Sequence, residues 1–169
     1  AAGTRTGIRI ATQNPREVGA NRIVNAAAAF HLYGGPAIVL DFGTATSFDV
    51  VGQDGAYLGS VIAPGLSLAA EALFQHASRL YRVELASPRS VIGRDTTTAL
   101  QSGVVIGHAA MVEGMLARIK AEIDRPATVI ATGEFGAQVL PQLSHIDYVQ
   151  PFLSLHGLRL LFELNQEER

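Results

Sequence analysis

Apolar positions fall first in a helical stretch, then in three short strands joined by tight turns between Ala37 and Ile62, and the remainder of the chain switches to helical spacing. Asn14, Pro15 and Glu17 have the order of an N-cap, a first-turn proline and a capping-box partner, so a helix is predicted from Pro15 to His31, stopped by Gly34-Gly35-Pro36. Ala37 to Phe42 is an apolar strand, Gly43 to Thr46 a tight turn, and Ser47 to Val51 a second strand running into Gly52-Gln53-Asp54-Gly55. A third strand, Tyr57 to Ile62, ends at Pro64-Gly65.

Beyond Gly65 the period lengthens. Helices are predicted over Leu66 to Leu80 and Thr96 to Ile123, the second containing Gly103 and Gly107, which are read as points of close helix packing. A strand over Thr128 to Ala131, a helix from Phe135 to Leu143, a short strand from Tyr148 to Pro151 and a closing helix from Leu155 to Asn165 complete the order. The predicted fold class is α/β: an antiparallel three-strand meander followed by alternating helices and strands. That is the order of one ribonuclease-H-like half of an actin-like ATPase or kinase, in which two halves face each other across a cleft.

At 169 residues, 48% hydrophobic and 17% charged, the chain can bury one substantial core. A net charge of -2 with both signs interspersed leaves no stripe for a nucleic-acid backbone, so no nucleic acid is expected as a partner. The apolar runs are read as too short for a bilayer and the start lacks the layout of a signal peptide, so no membrane is expected and the cytoplasm is the expected compartment. Without cysteine, disulfides and thiolate chemistry are excluded. The five histidines lack metal-ligand spacing and are read as structural.

Chemistry concentrates at Asp41-Phe42-Gly43-Thr44-Ala45-Thr46-Ser47. A carboxylate at a strand end, a glycine and three hydroxyls suit a phosphate or a metal-bound phosphate: turn N–H groups and hydroxyls donate to anionic oxygens, and the acid takes a magnesium ion. An ordinary Thr-rich hairpin is the other reading. Ala131-Thr132-Gly133, between a strand and a helix, is where backbone can approach a nucleotide. Near the start of the first helix, Asn21 and Asn25 share a face, and Arg22 can fork onto a carboxylate or phosphate or lie on a solvated surface. Rossmann and P-loop fingerprints are absent.

These segments resemble type III pantothenate kinases over nearly the whole chain. The resemblance is carried by Asn14 to Ala20 with Arg22-Ile23, Asp41 to Asp49, Leu58 to Gly65, Ser90 to Gly93, Gln101 to Gly103, Ala131 to Gly133 and Asp147 to Arg159. It implies transfer of a phosphoryl group from ATP to pantothenate, with Mg2+ and a monovalent cation such as K+ or NH4+. It also implies a dimer whose pantothenate pocket is completed across the interface.

On the family pattern, Asp41 is a catalytic and metal-binding acid, and Gly43, Thr44 and Thr46 form a phosphate loop. Gly133 borders the adenosine, while Arg22, Thr96 and the Gly3 to Gly7 stretch approach pantothenate. Asn21 occupies the place of the aspartate that serves as base, and Glu134 that of a second glycine. The resemblance covers the family's carboxy-terminal part only: residues 1-14 are expected to be a remnant leading from a missing amino-terminal half, and 15-169 a single domain. A homo- or hetero-oligomer with a chain supplying that half is therefore expected. The alternatives are a catalytically degenerate relative acting as a regulatory or binding subunit, or an actin-like phosphotransferase for another acid or a sugar.

Overall fold

A computed structural model describes residues 4–77 and 80–166. One six-stranded mixed sheet forms the centre, in the order β1-β4-β3-β2-β5-β6. Strands β2 (Ala37–Phe42), β3 (Ala45–Val51) and β4 (Ala56–Pro64) make the predicted antiparallel meander. Strand β5 (Thr128–Thr132) joins β2 in parallel, and β6 (Tyr148–Val149) joins β5. Apart from β1 (Arg9–Ile10), which adds a short parallel strand beside β4, this is the ribonuclease-H-like order.

Helices cover both faces because the central strands are apolar on both sides. On one face α1 (Ala20–Tyr33) and α5 (Leu153–Gln166) pack over Ala37, Val39, Val51, Tyr57 and Ile130. On the other, Leu40, Phe42, Phe48 and Val129 meet α2 (Leu66–His76) and the long helical stretch made of α3 (Thr96–Gln101), a π-helical segment (Ser102–Ile106) and α4 (Gly107–Ile123). The stretch Thr96–Ile123 is long and apolar enough to cross a membrane. Most of its buried residues, among them Val105, Ala109, Val112 and Leu116, belong to the core cluster on the sheet, which is the pattern of a core helix of a globular fold.

Four predicted elements differ. Pro15–Glu17 forms only a 3-10 turn, and Asn14 Nδ2 donates to the Glu17 carboxylate instead of its side chain capping a helix; α1 starts after extended Val18, with Gly19 as its N-cap. The second helix ends at His76, and Ser78 and Arg79 lie outside the described residues. Gly103 and Gly107 are exposed, and a Cβ at either would meet nothing, so they do not serve close packing; they sit in and just after the π-helical segment. The helix predicted over Phe135 to Leu143 is a set of turns with one 3-10 turn, Leu140–Gln142. Gly136 and Pro141 fall inside that span, and both are poor residues for a helix interior.

Candidate active site

Because side chains alternate along a strand, the meander sends its polar residues to opposite faces. Asp41 pairs with Ser47 and Val39 with Asp49, so Asp41, Ser47 and Asp49 share the α1 face. Thr46, one residue before Ser47, points the other way: it is buried, and its hydroxyl meets His108 Nε2 of α4 at 3.0 Å. Burial lowers the His108 pKa, which keeps the imidazole neutral in that contact.

Asp41 stands at the carboxyl end of β2, half-buried. Asn25, fully buried in α1, donates from Nδ2 to Asp41 Oδ2 at 3.2 Å and accepts from Ser154 Oγ at 2.6 Å. Burial and the neighbouring Asp49 carboxylate raise the Asp41 pKa above its ordinary value, and the Asn25 hydrogen bond partly offsets them. Gly133 follows β5 at φ +98°, and a Cβ there would lie 2.5 Å from the Phe42 carbonyl oxygen and 2.6 Å from Asp41 Oδ1. Only glycine lets the two strand ends come this close.

Asp41, Gly43, Thr44 and Gly133 line one cleft of about 720 Å³, together with exposed Glu134 and Phe135 and the start of α5 at Phe152, Ser154 and Leu155. The turn itself is closed by backbone bonds from Gly43 N to Ala45 O and from Gly65 N to Thr44 O, both 3.0 Å. A Cβ on Gly65 would sit 2.4 Å from the Thr44 carbonyl oxygen, so the Pro64-Gly65 corner is what seats this turn.

The remaining predicted residues lie elsewhere. Arg22 lines a second cleft of about 520 Å³ with Thr12, Asn14, Ser60 and Ile62. Its guanidinium is bound to Asp49, fully buried, by Nε at 2.8 Å and Nη2 at 2.7 Å, and Nη2 also donates to the Tyr57 hydroxyl at 2.8 Å. Tyr57 donates to Asp49 at 2.6 Å, and its own pKa is pushed up to about 12, first by burial and then by that carboxylate. Asn21 is exposed on the first turn of α1, Thr96 is exposed at the start of α3, and Gly7, at φ +72°, lies against Leu164 of α5. Gly3 lies outside the described residues.

Asp49, Tyr57 and Ser154 have no site role in the sequence reading, and Asn25 enters it only as sharing a face with Asn21. One signal was available for Asn25, an amide in the otherwise apolar buried run Val24 to Ala29. Among the described residues no group of three or more His, Cys, Asp or Glu side chains is placed to hold a metal ion.

Comparisons with known proteins bear on these residues as a set. The model of the family "Type III pantothenate kinase" matches residues 1–118. A Parafrankia protein of that name is 52% identical over 167 residues, which cover 99% of this chain and 66% of the relative. A Moorella thermoacetica protein of the same name is 49% identical, covering 96% of this chain and 64% of its own length. The chain thus spans about two thirds of the length of the curated relatives it matches. The family match, over residues 1–118, does not support confining the resemblance to a carboxy-terminal part of the family. Among solved structures, a Baf family transcriptional activator from Campylobacter jejuni superposes with a TM-score of 0.64 at 20% identity, over 90% of this chain and 67% of that one, a likeness of fold.

Proposed function

This chain belongs to the type III pantothenate kinase family, and from that premise we propose that it is part of a cytoplasmic ATP-dependent kinase that phosphorylates pantothenate. The observation that carries the proposal is the single cleft holding the Asp41 carboxylate, the Gly43-Thr44 turn and the Gly133 backbone corner. Phosphoryl transfer leans mainly on positioning and charge neutralisation, and this set supplies a hard anionic oxygen, a hydroxyl and close backbone. Asp41 fits Mg2+, which is commonly held by one or two carboxylates and the substrate's own phosphates; bound there, the ion would neutralise charge on those phosphates. A monovalent cation, K+ or NH4+, belongs to the same proposal.

Gly43, Thr44 and Gly133 take the nucleotide in this reading. Thr46 anchors the turn from behind through His108, a role different from direct contact with phosphate. Arg22, Gly7 and Thr96 are proposed for the pantothenate side, in separate places on this chain, which fits a pocket completed by a second copy. Exposed Phe152, Leu155, Leu158 and Phe162 leave an apolar stripe on α5 beginning at the cleft, a surface suited to burial under an opposing lobe. We therefore keep the two-lobed arrangement and the dimer within the proposal.

Two experiments test it. Co-expressing this chain with the remaining third of a longer relative should give a complex and magnesium-dependent phosphorylation of pantothenate; neither complex nor turnover would end the reading. Thermal shifts with pantothenate should exceed those with other acids or sugars; a larger shift with one of the latter points to a different phosphotransferase.

The second reading, a catalytically degenerate subunit, is favoured by one observation: Asn21 is exposed and an amide cannot accept a proton. A positioned base is worth about 10²- to 10⁴-fold, so Asn21→Asp in the assembled kinase is expected to raise turnover by at least about 10²-fold. No gain would favour the degenerate subunit.

Asp41→Asn gives a further test with two opposite readouts. A raised carboxyl pKa in the folded state means that stability is fullest below the unfolded pKa and is lost as pH rises through the folded one. At neutral pH the neutral amide should therefore raise the melting temperature, while Mg·ATP-dependent turnover falls about 10²-fold or more. A lower melting temperature would contradict the burial and charge argument.

A further inference from the structure

Asn25 is fully buried in α1, and both ends of its amide are engaged. Nδ2 can only donate, and it faces Asp41 Oδ2 at 3.2 Å; Oδ1 can only accept, and it receives the Ser154 hydroxyl at 2.6 Å. Turning the amide over would set its oxygen against the Asp41 carboxylate and its NH2 against a hydroxyl that must then accept. Ser154 belongs to the first turn of α5 and to the lining of the Asp41 cleft. One turn further on, Gly157 brings α5 onto α1 so closely that a Cβ would lie 2.3 Å from the Val24 carbonyl oxygen. The approach that makes the Ser154–Asn25 bond possible is thus built into both helices.

We propose that Asn25 is the positioning residue for Asp41, with Ser154 fixing which way its amide points. Asn25 holds Oδ2, and Oδ1 is left facing the Gly133 corner, where an added Cβ would come within 2.6 Å of it. The acid is presented in one orientation, and a ligand or lobe that shifts the start of α5 is felt at Asp41 through two hydrogen bonds. This rests on the reading of Asp41 as the phosphate-side acid, but the placement of its carboxylate can be measured without nucleotide.

The test uses the full chain labelled with 13C at aspartate carboxyls. Ser154→Ala trims one half-buried atom on the cleft wall; it is expected to move and broaden the Asp41 carboxyl resonance with the melting temperature almost unchanged, and Ser154→Thr to restore the wild-type signal. Asn25→Asp, isosteric but unable to donate when ionised, should move the same resonance further. In the kinase assembled with the remaining third of a longer relative and in the presence of ATP, Mn2+ affinity read by electron paramagnetic resonance should fall about tenfold in Ser154→Ala, the scale seen for outer-shell partners of metal ligands.

An Asp41 resonance unmoved in Ser154→Ala overturns the proposal, and this variant decides even if Asn25→Asp fails to fold. Assembled wild-type kinase that holds no Mn2+ with ATP would strike the phosphate-side reading of Asp41, while the carboxyl resonance of the chain alone still settles the positioning.

Discussion

Gly133→Ala is expected to unfold about 10 °C lower than the wild type and to lose nucleotide binding together with stability. The backbone at Gly133 has φ +98°, which an L-residue adopts at a cost of about 1–2 kcal/mol. The new methyl would then stand 2.5 Å from the Phe42 carbonyl oxygen and 2.6 Å from both Phe42 N and Asp41 Oδ1. Two of those three atoms are backbone of β2, so neither can rotate aside, and forced overpacking of this kind adds about 1–3 kcal/mol. For a domain of this size each kcal/mol lowers the midpoint by roughly 2–4 °C. Calorimetry gives the midpoint, and titration with Mg·ATP in the assembled kinase gives the affinity. A variant with normal melting but absent binding would show that β2 and β5 part easily at this corner, contrary to the packing described here.

Arg22→Ala is expected to be the most destabilising change at the second cleft, at about 3–5 kcal/mol, because it strands a buried carboxylate. Asp49 is fully buried, and Arg22 supplies the positive charge bound directly to it, at 2.7 Å. Tyr57 and Ser47 remain as donors to Asp49, at 2.6 and 3.2 Å, which keeps the loss toward the lower end. Asp49→Asn removes the charge instead of its partner and leaves Arg22, with a fifth of its side chain exposed, access to water; it should cost clearly less.

Pairing Arg22→Met with Asp49→Asn should recover much of the Arg22→Ala loss, since no unpaired charge is left inside. Urea unfolding of the three variants measures the order. Equal losses in the single variants would mean that the desolvated carboxylate is not the dominant cost. Pantothenate affinity in the assembled kinase, read beside stability, tells whether Arg22 also contacts substrate.

These two sites differ in how far they were legible beforehand. Gly133 stands at a strand end before a turn, a local signal for a close approach of backbone, and the close approach in the structure is to Phe42 and Asp41. Arg22 was singled out as a forked donor, yet nothing in the sequence pointed to Asp49, 27 residues away, as its partner. Thr46 shows the same limit within a single loop. The turn Asp41 to Ser47 looked like one set of oxygens for a phosphate, but the two-residue period of β3 turns Thr46 into the core against His108, 62 residues on.

Local rules determined the meander. Apolar alternation, the Gly43 turn and the Pro64-Gly65 stop each act within a few residues, so the chain order carries them directly. The same rules failed over Phe135 to Leu143, where apolar spacing looked helical but Gly136 and Pro141 do not sustain a helix. They also misread Gly103 and Gly107, whose surroundings depend on where the rest of the chain lies.

The partners of Asp41 belong to the tertiary structure alone. Asn25 reaches it across 16 residues and Ser154 reaches Asn25 across 129, distances over which sequence spacing carries no angular information. Strand order, pleat and turns follow from the chemistry of neighbours along the chain. Which buried polar group meets which follows from how the two helices settle on the sheet, because a hydrogen bond is fixed by position in space and by the desolvation cost of going without it.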